Sequence, residues 1–249
     1  MEETKTATEK SGVEVEAREE AESSTAQGLL LVDKPAGMTS HDVVQQVRRI
    51  YGQRSIGHLG TLDPFATGLL VLLLGRATRL ATFLDTEPKV YEAVIAFGTE
   101  TDTDDETGTV IRTAESPSEA HVLDGIRSLT GKISQVPPAY SAKSVDGERA
   151  YDAARRGEPL ALPASEVTVH NWDVTDVRAD SLTAVITCSG GTYIRALARD
   201  LGRLAGSAAH LRSLRRTRAG RFEIADAATL ESLARNPTRL RTLRVVADE

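Results

Sequence analysis

The sequence predicts a domain that mixes strands with helices, and three observations predict it. Apolar runs of strand length are closed by glycine or turn residues, apolar residues recur at helical spacing behind capping residues, and two β-patterned segments adjoin as a hairpin. The 249 residues, 40% hydrophobic and 27% charged, suit one large domain or two small ones and can bury a real core.

Gly28 to Asp33 reads as a short strand, and Lys34-Pro35-Ala36-Gly37-Met38-Thr39-Ser40 as the turn that leaves it. Lys34 there is a structural or a phosphate-contacting lysine, and its local sequence alone favours a surface lysine. Ser40 is the expected N-cap of a helix in which Val43, Val44, Val47, Ile50 and Tyr51 recur until Gly52 stops the pattern. Residues 57–68, from Gly57 to Gly68, then set one carboxylate, Asp63, directly before Pro64. Pro64 fixes its own φ and steers Asp63 away from helical geometry, while Gly57, Gly60 and Gly68 permit shapes that a Cβ forbids. A rigid loop is a good place for chemistry, although Asp-Pro is also an ordinary turn dipeptide. Leu69 to Leu74 follows as a buried strand closed by Gly75, and Arg76 to Leu84 as a short helix. Lys89 to Phe97 is a strand with Tyr91, Ala93, Ile95 and Phe97 on one face. Tyr91 is a core aromatic or a platform on which a base stacks.

The acidic loop 100–108 invites a calcium site, but an EF-hand begun at Asp102 puts Thr107 where glycine is needed and Thr113 where glutamate is needed, so no metal is expected. A helix over 117–130 has Ser116 and Glu119 at capping-box spacing. Residues 131–159 change character. Glycines and prolines punctuate a polar stretch bearing Tyr140, Lys143, Arg149, Tyr151, Arg155 and Arg156, which reads as a mobile insertion able to grip RNA or as a plain surface hairpin with a short helix. Strands 165–177 and 181–188 make the hairpin. Ser189 to Arg195 then opens a helix that turns Ile194, Leu197, Leu201 and Leu204 inward. A cation in a first helical turn opposes the helix dipole, so Arg195 is either a surface arginine or, as explains it best, the partner of a carboxylate, for which Asp63 is the candidate. Ser207 to Phe222 alternates arginines with apolar residues, and a last short helix spans 226–235.

Charge is uneven along the chain. Residues 1–27 carry eight acidic and three basic side chains out of a net charge of −6, and almost no large apolar ones, which predicts a disordered acidic tail. Between Arg195 and Arg221 eight arginines face one acid, Asp200. Such a patch suits a phosphate backbone, with binding that weakens steeply as salt rises; a solvated helix face has the same composition. The single cysteine, Cys188, excludes a disulfide framework and a cysteine zinc cluster. No apolar run is long enough to span a membrane and the first residues are acidic, so a cytoplasmic protein is expected. Phosphate-loop, dinucleotide, zincin and nucleophile-elbow motifs are absent.

Several stretches together resemble one family, the bacterial-type tRNA pseudouridine-55 synthases (TruB type). They are Lys34 to Ser40, Gly57-His58 through Gly68, Lys89-Val90-Tyr91, Thr101-Asp102-Thr103, Pro137 to Lys143, Gly191 to Arg195 and Leu211 to Thr217. The resemblance implies an α+β pseudouridine-synthase fold, with a long mixed, mostly antiparallel sheet, flanking helices and a central cleft. It implies isomerisation of uridine 55 in the TΨC loop of tRNA, with base flipping and without cofactor or metal. By this likeness Asp63 is the catalytic aspartate, Tyr91 the aromatic against the target base and Arg195 the partner of Asp63. His58 would pack into the T-loop, and 131–159 would be the thumb within a catalytic domain of 28–235, followed by a tail of 236–249. Lys34, Thr61, Tyr140, Lys143, Arg155, Arg212, Arg215 and Arg216 are the further expected RNA contacts, and a monomer acting on the T-arm is expected. The further small RNA-binding domain of the PUA type that many members carry is not expected in this chain. Two rivals remain: a non-catalytic tRNA-folding chaperone using the same cleft, and a glycosidase-like hydrolase, which needs a second positioned acid.

Overall fold

Six consecutive apolar residues need cover on both faces, and Leu69 to Leu74 have it, each at most 1% exposed. Fully burying one such side chain contributes about 1.5–3 kcal/mol, so this strand anchors the loop that precedes it. The structure is a computed structural model that describes residues 26–145 and 147–237. The acidic segment 1–27, save its last two residues, and the tail 236–249, save its first two, lie outside the described part.

In chain order the elements are β1 (Gly28–Lys34), α1 (Ser40–Tyr51), β2 (Ile56–Leu59), β3 (Thr67–Leu74), β4 (Lys89–Phe97), β5 (Thr99–Thr101), β6 (Val110–Thr113) and α2 (Glu119–Ser128). They continue with β7 (Gly131–Gln135), β8 (Ser144–Val145), β9 (Glu148–Arg149), α3 (Ala150–Arg155), β10 (Ser165–Val177), β11 (Ser181–Cys188), α4 (Ile194–Leu204), β12 (Ala209–Ala219), β13 (Phe222–Glu223), β14 (Ala228–Thr229) and α5 (Leu230–Arg235). One mixed, mostly antiparallel sheet runs β14-β1-β3-β12-β4-β11-β10-β7, with β2 beside β3 and β13 beside β12.

The sheet has two halves. In the first, β1 pairs antiparallel with all but the first residue of β3, and Val43, Val44 and Val47 of α1 cover one face. In the second, β4, β11, β10 and β7 form an antiparallel run whose inner face, including Tyr91, Ala93, Ile95 and Phe97, packs under α2 and α4. Strand β12 joins them. It lies antiparallel to the whole of β4 but meets β3 only at Arg215–Thr67 and Arg216–Gly68. That short parallel bridge leaves a cleft between the halves, and Gly68 sits in it at φ 101°. A Cβ there would lie 2.8 Å from the Arg216 nitrogen and closer still to its carbonyl oxygen, backbone that cannot move aside. Gly68→Ala is therefore expected to cost well over about 1 kcal/mol and to lower the midpoint of thermal unfolding by several degrees.

Several expected boundaries shift for local reasons. The N-cap of α1 is Thr39, which closes a capping box with Asp42, while Ser40 turns inward toward Leu62. Only Ala77 is buried in Gly75–Leu80, so no apolar stripe supports an α-helix over 76–84 and the segment is a 3₁₀ helix followed by turns. Ser118, one residue past Pro117, caps α2 in place of Ser116 by accepting the His121 N–H. Residues 131–135 of the expected insertion are the edge strand β7, paired with β10, so the segment that leaves the sheet begins after Gln135. The last α-helix starts at Leu230, capped by Thr229, after β14 has joined β1.

Candidate active site

Asp63 lies in the loop between β2 and β3, and that loop is held from both sides. From one side, Ser40 accepts the Leu62 N–H at 2.9 Å and donates to the Leu62 carbonyl at 3.2 Å, and the Gly37 N–H donates to the Pro64 carbonyl at 2.8 Å. Lys34 Nζ donates to the carbonyls of Pro35, Met38 and Pro64 at 2.9, 2.6 and 3.2 Å, using all three of its protons. From the other side, Arg216 Nε donates to the Leu69 carbonyl at 2.7 Å and its Nη2 to the Gly60 carbonyl at 3.1 Å. Gly60 takes φ 73°; Gly57 needs no special φ and belongs to β2.

The Asp63–Arg195 pair is present and bidentate. Arg195 Nε donates to Oδ2 at 2.9 Å and Nη2 to Oδ1 at 3.0 Å. The same guanidinium donates to the Thr103 and Tyr140 carbonyls at 2.8 and 3.0 Å, so it ties together three loops that are remote in sequence. A second carboxylate, Asp105, stands 3.7 Å from Arg195 Nε. Its Oδ1 accepts from the Thr103 hydroxyl and from the N–H and hydroxyl of Thr107. Two acids thus offset the helix-dipole cost of a cation in the first turn of α4.

The acidic loop is the counter-ion strip of α4. Arg195, Arg199 and Arg203, at i, i+4 and i+8, face Asp63 with Asp105, Asp104 and Glu100 in turn. Burial pushes the Asp104 carboxyl up to about 6 against the pull of Arg199. Burial also acts upward on Glu100, but hydrogen bonds from Arg203 and Arg112 outweigh it and hold that carboxyl below the usual range. Among the described residues no group of three His, Cys, Asp or Glu could hold a metal.

These loops enclose a cavity of about 720 Å³. Of the residues singled out in the sequence, Asp63, Tyr91, Arg195, Thr61, Tyr140 and Arg155 line it. Tyr91 is 7% exposed, and burial raises its phenol above the ordinary value. Tyr140 and Tyr151 meet edge to face at 6.5 Å, with Arg155 4.2 Å over the Tyr151 ring. Lys143 is exposed on the same segment but outside the cavity wall. His58 is on β2, also outside the wall; burial first, then Arg216 and His41, lowers its pKa. Sequence reasoning missed Lys89, Asp105, Tyr193 and Leu214 as lining residues. Lys89, Tyr193 and Leu214 lie inside stretches that the resemblance includes and Asp105 just beyond one, and that placement is the signal that was there to use.

The arginine-rich segment requires correction. Arg216 is 1% exposed and bonded to loop carbonyls, so it supports the loop and does not reach an RNA backbone. Arg215 makes a bidentate pair with Asp33 at 3.0 and 2.8 Å. Arg212 is half exposed, with Asp180 at 3.9 Å. Arg195, Arg199 and Arg203 face acids as described. Three of the eight arginines of the expected patch, Arg195, Arg199 and Arg216, are internal structure, while Arg203, Arg212, Arg218 and Arg221 are exposed. Lys34, fully buried, is likewise a scaffold residue and not an RNA contact.

Burial, partly countered by Asp63, lowers the Lys34 pKa to about 8. Between about pH 8 and 10.5 the unfolded chain holds a proton at this site that the folded protein has released, so Lys34 makes stability rise with pH across that window. Denaturant unfolding of wild type and Lys34→Met is expected to show roughly 2–3 kcal/mol of rise at this site in the wild type that the variant lacks.

Comparison with known proteins adds a family. Residues 48–194 match the model for the TruB family pseudouridylate synthase N-terminal domain, and residues 195–243 match the tRNA pseudouridylate synthase B C-terminal domain. The chain is 52% identical to tRNA pseudouridine synthase B of Thermobifida fusca over 232 residues, covering 89% of this chain and 79% of that protein. It is 49% identical to the protein of that name from Arthrobacter sp., over 83% and 70%. Among solved structures it is similar to a Cbf5-Nop10-Gar1 complex, with TM-score 0.65, 27% identity and coverage of 84% of this chain and 54% of the matched one. An H/ACA RNP bound to a substrate RNA containing 2′-deoxyuridine gives TM-score 0.64 and 26% identity over 86% and 55%. The chain spans about half the length of those matched chains.

Proposed function

The chain belongs to the TruB family of pseudouridylate synthases, and on that premise we infer that it isomerises uridine 55 of tRNA to pseudouridine with Asp63 as the carboxylate that does the chemistry. tRNA pseudouridine synthesis is the activity of relatives 48–52% identical over most of their length. The observation that supports Asp63 is its bidentate pair with Arg195, in a cavity wall rigid on both sides.

The reaction breaks the bond from C1′ of the ribose to N1 of uracil and forms one from C1′ to C5. The proton leaves C5, N1 gains one, and there is no net redox change. An ionised carboxylate acts on the sugar, as nucleophile or as proton acceptor, and needs no cofactor to do so. Arg195 orients both oxygens of Asp63 toward the cavity. Tyr91 stands as the aromatic against the rotating base. Extruding a base costs a few kcal/mol, and stacking at about 1–3 kcal/mol per base offsets it.

The unit that does this is 28–235, with the part of 131–159 beyond Gln135 as a thumb whose Tyr140, Lys143 and Arg155 meet the T-arm. Thr61 lies at the cavity mouth and His58 beside the loop, toward the same RNA. We propose that it acts as a monomer, and we place the work in the cytoplasm with its tRNA. Among the described residues no helix is long and apolar enough to cross a membrane.

Asp105 is the second acid that a hydrolase would require, but Thr103, Thr107 and Arg195 engage it as a structural group, which favours isomerisation over glycoside hydrolysis. Carbodiimide labelling and primer extension on an unmodified tRNA transcript is expected to give one stop in the T-loop after incubation. Cleaved RNA or free uracil would favour the hydrolase. Binding without any stop would favour a chaperone.

A further inference from the structure

Arg195, Arg199 and Arg216 are buried inside the fold and Arg203 and Arg215 are paired with acids, so part of the arginine-rich segment is not free to meet an RNA backbone and other cations are worth weighing. One cluster contains no acid. It is a shallow groove of about 500 Å³ at the C-terminal end of α1, lined by Gln45, Arg48, Arg49, Gly52, Gln53 and Arg54. Arg48 is set in its wall by an Nη2 bond to the Ile56 carbonyl at 3.2 Å, and its enclosed Nε has no acceptor. Gln53 is 8% exposed, held by its Nε2 bond to the Ala26 carbonyl, and its Oε1 has no donor. Arg49 and Arg54 are exposed, and neither guanidinium makes a hydrogen bond or ion pair with the described residues. A helix C-terminus attracts cations through its dipole, which accounts for Arg48 and Arg49 in the last turn. It does not account for Arg54, which lies beyond the Gly52 cap.

The groove is rigidly placed relative to Asp63. Ser40, the first residue of α1, is bonded to Leu62 of the catalytic loop, and twelve helical residues span about 18 Å. Catalytic loop and groove therefore stand near opposite ends of one rod. Along it lie His41, bonded to Gln45 at 3.0 Å, and then Arg49, at i, i+4 and i+8.

We propose that this groove binds phosphates of the tRNA stem that continues from the loop entering the cavity, with Arg49 and Arg54 as the contacting cations and Arg48 as a fixed wall. The proposal rests on the tRNA reading above. Guanidinium forks match phosphate oxygens bidentately, and a stem backbone held at the far end of α1 from the catalytic loop gives the enzyme a second point of registration. Free inorganic phosphate has the same chemistry, so the test separates the two sources.

The test is equilibrium binding of an unmodified tRNA transcript across a salt series, for wild type, Arg49→Gln/Arg54→Gln and Arg49→Lys/Arg54→Lys. The glutamine pair is expected to weaken binding roughly 10-fold at low salt and to flatten the slope of log affinity on log salt by about two, while the lysine pair keeps most of that slope. Both positions are exposed, and matched unfolding midpoints establish that the variants are folded. Unchanged affinity and slope in the glutamine pair would overturn the proposal. So would a groove that takes only free phosphate, seen as competition by phosphate, beyond equal ionic strength of chloride, with tRNA affinity still that of wild type. Failure of the functional reading looks different: wild type forms no pseudouridine, whatever the groove variants do to affinity.

Discussion

Asp63→Asn is expected to lower single-turnover pseudouridine formation by about 10³-fold or more while leaving tRNA affinity within about threefold. The amide matches the carboxylate in shape and keeps one oxygen for Arg195, so the loop, fixed by Ser40, Lys34 and Arg216, holds its place. What is lost is the negative charge and the lone pairs that act on the sugar. Tritium release from C5-labelled uridine measures the step, because C5 gives up its hydrogen. A variant that releases tritium at the wild-type rate would remove Asp63 from the chemistry.

Arg195→Met should damage fold and function together. It leaves Asp63 and the buried Asp105 without their cation, and leaves the Thr103 and Tyr140 carbonyls without their donor. Breaking a buried pair costs about 3–5 kcal/mol; Asp63 is one-third exposed and water screens its share, so the lower end is expected, or about 6–12 °C in unfolding midpoint. Arg195→Lys separates the two roles. An ammonium retains the charge but cannot form the fork, so stability should largely recover while turnover stays down by about 10²-fold. Wild-type turnover in the lysine variant would mean that charge alone is needed.

The Asp63–Arg195 pair was legible because two local rules were broken at once: an aspartate pinned before proline, and a cation at the wrong end of a helix. The strands were legible where apolar runs were uninterrupted, as in β3, or where β-branched residues and a turn marked a hairpin, as in β10 and β11. The roles of Lys34 and Arg216 were not, since a cation bonded to backbone carbonyls has the same local sequence as one in water. In β12 the ladder slips between Leu211 and Ser213 and again between Arg216 and Arg218, so a strict period of two misassigns which arginines turn inward. The acidic loop was read for calcium spacing, when its partner was the i, i+4, i+8 arginine ridge of α4, about 90 residues away in the sequence.

Strand β12 also sets when the enzyme can first exist during synthesis. The match to the N-terminal family domain ends at residue 194, yet the strand that closes the sheet between β3 and β4 runs from Ala209 to Ala219. Until those residues leave the ribosome, the full length of β4 presents an unpaired edge, the kind of surface on which chains aggregate. The active site is thus assembled late, by residues distant in the sequence, and a nascent chain halted before Ala209 would carry Asp63 and Arg195 without the bridge that holds its two halves in register.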